Sequence, residues 1–165
     1  MAKKYDILIC GAGLAGTTLA YYLQEQGMKI ALLDVAGLSS SSRVAPGVWN
    51  PVVFKRLTNS WLAHLLIPEL MNHYIKVESI TGKTLLHFPK ICKLFSEEQE
   101  IQLWLKKCQQ EENLFLGKTI HRNEWVAPGM KTESSFAFVE QSGYLDTNNY
   151  LDALIGNLIL QNIHF

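Results

Sequence analysis

Charge and cysteine are both scarce in this 165-residue sequence, and their scarcity excludes several classes of protein. Fifteen basic residues balance 15 acidic ones, so the formal net charge is zero and no nucleic-acid partner is predicted. The three cysteines, Cys10, Cys92 and Cys108, form no CxxC pair and no cluster of metal ligands. We expect free thiols in a cytoplasmic protein, with Cys10 as a small buried residue at the end of a strand.

The short motifs of several enzyme classes are also missing. The 5 histidines are scattered, without an HExxH pair, so no metal site is predicted. No GxSxG elbow for a nucleophilic serine is present. Segment 7–23 carries no charge, but Asp6 precedes it and glycines and threonines dilute it. Neither a signal peptide nor a membrane span is therefore predicted.

The chain is organised around an apolar run that is followed by three spaced glycines, Gly11, Gly13 and Gly16. Ile7 to Ile9 are typical of a strand that is buried on both faces. Gly11 permits a tight turn, Gly13 lets the backbone approach a pyrophosphate, and Gly16 allows a helix to pack closely on the strand. This spacing predicts a dinucleotide-binding βαβ unit.

The helix of this unit is predicted from Leu14 to about Gln26, with Gly27 as its C-terminal stop. At its start, the N–H groups of Leu14, Ala15 and Gly16 have no partners within the helix. They lie at the positive end of the helix dipole, which favours an anion. We therefore expect the phosphates of a dinucleotide at this end of the helix.

The second strand is predicted at 30–33, and Asp34 closes it. A carboxylate at this position accepts hydrogen bonds from the ribose hydroxyls of adenosine and repels a 2′-phosphate. The sequence therefore predicts binding of a dinucleotide other than NADP.

Segment 5–34 resembles the N-terminus of the FAD-dependent oxidoreductases. Segments 41–51 (SSRVAPGVWNP) and 143–151 (GYLDTNNYL) are similar to parts of the D-amino-acid oxidase and glycine oxidase superfamily. In that superfamily the first segment runs past the pyrophosphate toward the flavin ring, and the second leads into a helix of the FAD domain. The resemblance implies an α/β protein with a Rossmann-like FAD/NAD(P)-binding fold and FAD as cofactor.

One residue departs from the pattern of this superfamily, which usually ends its second strand with Glu where this chain has Asp34. Asp is the commoner choice in NAD-binding folds, so an NAD-dependent dehydrogenase is an alternative. The assignment of FAD therefore depends on segment 41–51.

Small residues dominate segment 35–42, and by composition alone it would be a flexible linker. Because it follows the second strand of a dinucleotide-binding unit, we expect its end to hold the diphosphate instead. The residues predicted to do so are Ser41, Ser42, Arg43 and Gly47. Arg43 could supply charge-assisted hydrogen bonds to the phosphates.

The middle of the chain resembles the superfamily least. A long helix is predicted from about Ser60, and Pro68 should kink it or start a second helix. Segments 85–88 and 91–95 are predicted to be two strands around a turn.

Two further helices and a region of short strands complete the pattern. Ser96 and Gln99 form a capping-box signature for the first of these helices, and Ile101, Trp104, Leu105 and Cys108 are predicted to lie on its apolar face. Strands and loops are predicted at 113–138, and Asp146 or Thr147 should cap the last helix. The final residues resemble the start of a further strand.

The resemblance implies three segments of domain structure. Residues 1–80 would form the first part of the FAD-binding domain, 81–142 the start of an inserted α+β substrate domain, and 143–165 a return to the FAD-binding domain. The enzymes of the superfamily are considerably longer. We therefore expect the chain to be truncated or to be part of a longer protein.

By resemblance, the complete protein would oxidise a small-molecule amine or amino acid by hydride transfer to the flavin, and would then reduce oxygen to peroxide. The sequence assigns no catalytic residue and no oligomeric state, and this chain alone is expected to be inactive. A non-catalytic dinucleotide-binding module is a further alternative, besides the NAD-dependent dehydrogenase.

Overall fold

A computed structural model describes residues 4–35, 40–110, 113–161 and 163–165. The chain divides into two compact units. The first consists of Met1–Gly47, His73–Leu86 and Leu145–Phe165, and the second of Val48–Asn72 and His87–Tyr144. The second unit thus includes 48–72, which the sequence-based boundaries place with the FAD-binding domain. Those domain assignments remain a prediction.

The helices and strands of the described residues follow one another along the chain. They are β1 (Ile7–Cys10), α1 (Leu14–Glu25), β2 (Ile30–Leu33), α2 (Ser41–Val44), β3 (Val48–Trp49), β4 (Val52–Val53), β5 (Thr58–Asn59), α3 (Ala63–Thr81), β6 (Leu86–His87), β7 (Ile91–Leu94), α4 (Glu98–Cys108), β8 (Trp125–Ala127), β9 (Met130–Lys131), β10 (Phe136–Val139), β11 (Gly143–Leu145) and α5 (Thr147–Leu160).

The first unit contains the predicted βαβ arrangement. Strands β1 and β2 are parallel, with Ile7 opposite Ile30, and α1 packs against both. Beyond β2 on its other side, the carbonyl of His164 accepts a hydrogen bond from the Leu32 N–H at 2.8 Å. The expected further strand at the end of the chain is therefore confirmed as a parallel bridge. The α/β fold class is confirmed with it.

The expectation that β1 is buried on both faces is wrong. Ile9 is buried, whereas Leu8 is 58% exposed and Cys10 is exposed as well. Successive side chains of a strand point to opposite faces. Among the described residues α1 covers only the face that carries Ile9, so the other face of β1 is left accessible.

Helix α5 begins where the sequence predicts, because the Asp146 side chain accepts a hydrogen bond from the Asn149 N–H at 3.0 Å. Its apolar face is almost completely buried at Tyr150, Leu151 and Leu154. The helix packs against both α1 and α2.

The second unit has its own hydrophobic core, centred on Trp104 of α4. The Trp104 ring packs edge-on against Phe95 at a centroid distance of 5.5 Å, and its indole N–H donates to the Gly117 carbonyl at 2.9 Å. The other core residues are Val52, Leu57, Ala63, Ile67, Ile101, Phe115, Leu116, Ala137 and Val139. The predicted apolar face of α4 is confirmed.

Strands β4 and β5 pair as neighbours in sequence, and so do β8 and β9, whereas the pairs β7–β10 and β3–β11 join segments that are distant in sequence. The predicted strands around Pro89 are present as β6 and β7, but β7 pairs antiparallel with β10, and Cys92 lies opposite Phe138. In a separate three-stranded sheet, β11 lies between β3 and β6, with Gly143 opposite Trp49. The partners come from distant segments, which is why local pattern did not reveal them.

Two local expectations need correction. Of the two alternatives at Pro68, the start of a second helix is wrong, because α3 continues through Pro68 as one helix, and the kink stays a prediction. Ser96 is not the N-cap residue of α4, because that position is occupied by Glu97. Instead, the Ser96 N–H donates to the Glu100 carboxylate at 2.7 Å.

A buried polar network joins three helices of the first unit. His73 of α3 is only 6% exposed, and its Nε2 shares a 2.8 Å hydrogen bond with the Tyr150 hydroxyl of α5. The same hydroxyl shares a 2.6 Å hydrogen bond with Thr18 of α1. Burial lowers the pKa of His73, while nearby Glu25 opposes this shift and Lys76 adds to it. Burial also raises the pKa of the Tyr150 hydroxyl.

The lowered pKa of His73 predicts that the protein loses stability in mild acid. Below the unfolded-state pKa of about 6.5, the unfolded chain binds a proton on this histidine that the folded chain does not. The free energy of unfolding should then fall by up to about 1.4 kcal/mol per pH unit from this group. Urea unfolding of the His73→Phe variant should show a flatter pH dependence than the parent chain.

His64→Phe is the matched control, because His64 is exposed on the same helix. This variant should keep the pH dependence of the parent chain. Equal slopes for the parent chain and His73→Phe would show that His73 does not carry the effect.

Candidate functional site

The turn between β1 and α1 has the geometry that the glycine spacing predicts. Gly11 has a φ of +102°, a conformation that favours glycine, and its N–H donates to the Leu33 carbonyl of β2 at 2.7 Å. A Cβ on Gly16 would overlap the Gly11 carbonyl oxygen. The start of α1 therefore lies directly against the turn, beside the end of β2.

The first turn of α1 is in contact with α2. The Leu14 N–H donates to the Ser42 Oγ at 3.1 Å, and a Cβ on Gly13 would lie 2.8 Å from the same oxygen. The structure thus brings Ser42 to Gly13 and Leu14, although Ser42 lies 28 residues beyond Leu14 in sequence. The N–H groups of Ala15 and Gly16 belong to the same first turn, whose N–H groups have no hydrogen-bond partner within the helix.

Asp34 is exposed immediately after β2, one residue beyond the carbonyl that binds the Gly11 N–H. Its Oδ1 accepts a hydrogen bond from the Val35 N–H at 2.9 Å. The carboxylate stays exposed despite this contact and keeps acceptor positions for a ligand hydroxyl.

Helix α2 replaces the end of the predicted small-residue loop. Residues 36–39 of that loop lie outside the described residues. Ser40 caps α2 by accepting a hydrogen bond from the Arg43 N–H at 3.3 Å, and Ser41 is exposed in the first turn. After α2, the Gly47 carbonyl accepts a hydrogen bond from Leu145 at 3.1 Å.

The side chain of Arg43 binds α5. Its Nη2 lies 2.7 Å from the Asp152 Oδ1, and its Nη1 donates to the Asn148 Oδ1 at 3.4 Å. Asn148 returns a hydrogen bond from its Nδ2 to the Arg43 carbonyl at 3.1 Å. The sequence expectation that Arg43 reaches phosphate stays a prediction.

Asn148 and Asp152 were not among the residues predicted from sequence. Their spacing places them on one face of α5, one helical turn apart. In sequence such a pair is indistinguishable from an ordinary exposed polar face, because its partner, Arg43, is 105 residues away from Asn148.

This arrangement fits the adenosine diphosphate part of a dinucleotide. The glycines leave space beside a helix N-terminus, whose N–H groups and dipole favour phosphate. Ser42 adds a hydroxyl at the same place, and Asp34 offers a carboxylate for ribose hydroxyls. A Cβ on Gly13 would enter the space between α1 and Ser42.

Neither a metal site nor a membrane-spanning helix is found in the parts of the chain that the structure describes. Within those parts, no three His, Cys, Asp or Glu side chains group in a way that could hold a metal ion. No helix in them is both long enough and apolar enough to cross a membrane. The three cysteines are free thiols, and burial raises the pKa of Cys92 and Cys108.

The solved structures of a glycine oxidase and an L-amino acid deaminase are similar to this chain. Glycine oxidase from Bacillus cereus is 18% identical with a TM-score of 0.76, and the match covers 98% of this chain and 45% of that one. L-amino acid deaminase from Proteus myxofaciens is 20% identical with a TM-score of 0.68, covering 99% and 38% of the two chains. The chain therefore spans less than half the length of the solved structures it matches.

Sequence comparison gives a short match to a curated protein and a match to a family model over almost the whole chain. A stretch of 31 residues is 55% identical to digeranylgeranylglycerophospholipid reductase from Sulfolobus acidocaldarius, covering 19% of this chain and 7% of that protein. The family model described as FAD dependent oxidoreductase matches residues 6–165. This match favours FAD over the NAD-dependent alternative. The chain belongs to the FAD dependent oxidoreductase family.

Proposed function

We propose that the chain is the cofactor-binding portion of a flavin-dependent enzyme that oxidises an amine or an amino acid. The observation that carries this proposal is the start of α1, where Gly13, the Leu14 N–H and the Ser42 hydroxyl meet. The family match supports FAD as the ligand. The names of the similar structures, a glycine oxidase and an L-amino acid deaminase, support the substrate class.

The proposed roles follow from the chemistry of each group. The N–H groups at the start of α1 would bind the pyrophosphate, and the absence of a side chain at Gly13 would leave room for it. The Ser42 hydroxyl would add a hydrogen bond. The proposed cofactor site comprises Gly11, Gly13, Leu14, Ala15, Gly16, Asp34, Ser41, Ser42, Arg43 and Gly47, and the guanidinium of Arg43 is also bound to Asp152 of α5.

Asp34 would bind the ribose of the adenosine, since FAD has ribose hydroxyls and no 2′-phosphate at this place. When bound, FAD supplies a hydride acceptor for the oxidation of a carbon that bears nitrogen. The contribution of this chain would be to bind and orient the adenosine end of the cofactor. The free thiols support a cytoplasmic location.

Replacement of Asp34 tests the ribose contact. Asp34→Ala should weaken FAD binding by about 1.5–3 kcal/mol, the range for a hydrogen bond to a charged group, and should leave the fold intact because Asp34 is exposed. FAD titration monitored by fluorescence measures the difference. Asp34→Glu, which keeps the carboxylate, is the control and should retain binding. Equal affinities of the parent chain and Asp34→Ala would remove Asp34 from the site.

Replacement of Gly13 tests the position of the phosphates. Gly13→Val should reduce FAD binding more than Asp34→Ala does, because the new side chain would meet Ser42 and occupy the phosphate site. Gly156→Val is the matched control, since a Cβ at Gly156 of α5 has open space around it. Retention of FAD by Gly13→Val would refute the proposed phosphate position.

A third experiment asks which half of FAD the chain binds. The proposed contacts are to phosphates and ribose, so ADP should compete for the site nearly as well as FAD. With the flavin ring in water, neither substrate positioning nor exclusion of solvent is provided, and no amine-dependent peroxide formation is expected. ADP competition and a peroxidase-coupled assay measure both points. Peroxide formation that requires an amine and is lost in Gly13→Val would contradict this prediction.

A further inference from the structure

Helix α2 is held from two sides by different contacts. On one side, Ser42 accepts the hydrogen bond from the Leu14 N–H of α1. On the other side lies the α2–α5 junction, which we define as Arg43, Ala45, Thr147, Asn148 and Asp152. In this junction the Thr147 hydroxyl donates to the Ala45 carbonyl at 3.3 Å, in addition to the contacts of Arg43.

A helix of four residues is not stable by its own hydrogen bonds, because nucleation costs more than so short a helix recovers. The position of α2 therefore depends on its tertiary contacts. The junction links the guanidinium of Arg43 to Asp152 and Asn148, and links Asn148 back to the Arg43 carbonyl. Both the side chain and the backbone of α2 are thus attached to α5.

We infer that Asn148 and Asp152 are positioning residues for the cofactor, acting through Arg43 to hold Ser42 at the start of α1. This inference rests on the proposed function, since it concerns the same diphosphate site. It assigns Arg43 a different task from the one expected from sequence. The guanidinium links two helices instead of binding phosphate.

The charge of Asp152 separates these two roles of Arg43. If Arg43 were a phosphate ligand, neutralising Asp152 would free the guanidinium and remove a negative charge near an anion, so binding would become tighter. If Asp152 holds α2 in place, the same change would make binding weaker. The two roles therefore predict opposite signs for one substitution.

Effects on overall stability should be small. The Arg43 and Asp152 side chains are 36% and 67% exposed, and ion pairs of this kind contribute little to the folding of a protein. Loss of the junction should therefore appear in ligand binding while the melting temperature of the ligand-free chain stays nearly constant. A role confined to general stability would give the reverse pattern.

The test uses the 165-residue chain with ADP as the probe and isothermal titration calorimetry as the measurement. Asp152→Asn should bind ADP roughly three- to tenfold more weakly than the parent chain. Asn148→Ala should have an effect in the same direction without any change of charge. Unchanged or tighter binding by Asp152→Asn would overturn the inference.

Charge reversal provides a second test, in which affinity for ADP is first lost in one variant and then partly regained in a double variant. Arg43→Asp should bind ADP more weakly, and its combination with Asp152→Arg should recover part of the lost affinity because the ion pair is restored in reverse. If Arg43 bound phosphate directly, the double variant would stay as weak as Arg43→Asp. Circular dichroism of each ligand-free variant shows whether it is folded.

Failure of the proposed function would look different from failure of this inference. If the parent chain and Gly13→Val bound ADP equally, the diphosphate site itself would be wrong, and the inference would fall with it. If the parent chain bound ADP more tightly than Gly13→Val did, and Asp152→Asn bound ADP as tightly as the parent chain, the site would stand and the role of the junction would be overturned.

Discussion

The close contact between the start of α1 and the turn at Gly11 is the constraint on which the candidate site depends. A side chain at Gly16 would overlap the Gly11 carbonyl, so the helix could not keep its present position. That position places the first N–H groups of α1 beside the ends of both parallel strands. The site therefore depends on the absence of side chains at a few positions and on backbone groups that every residue has.

Helices α2 and α5 complete this arrangement from more distant parts of the chain. Ser42 brings a hydroxyl to the Leu14 N–H, and Arg43 attaches the same short helix to α5. Thr18 and His73 meet the Tyr150 hydroxyl in the buried network, so α5 is also linked to α1 and α3. One helix thus contributes both to the packing of the first unit and to the support of the site.

The second unit has its own core. All the proposed cofactor-binding residues belong to the first unit. Trp104 and Phe95 pack at its centre, and β7 and β10 form an antiparallel pair beside them. Most of this unit comes from the middle of the chain, the part that resembles the superfamily least. The buried side chains of this core account for the compactness of the second unit.

The sequence by itself determined the βαβ unit, the glycine turn, the start of α5 at Asp146 or Thr147 and the apolar face of α4, because each depends on residues close together in the chain. Only the tertiary structure decided the pairing of β7 with β10, the exposure of Leu8 and the contact of Arg43 with Asp152. These features depend on which distant segment lies nearby. A charged side chain such as Arg43 pairs with the nearest suitable acceptor, and local sequence does not specify which acceptor the fold brings within reach.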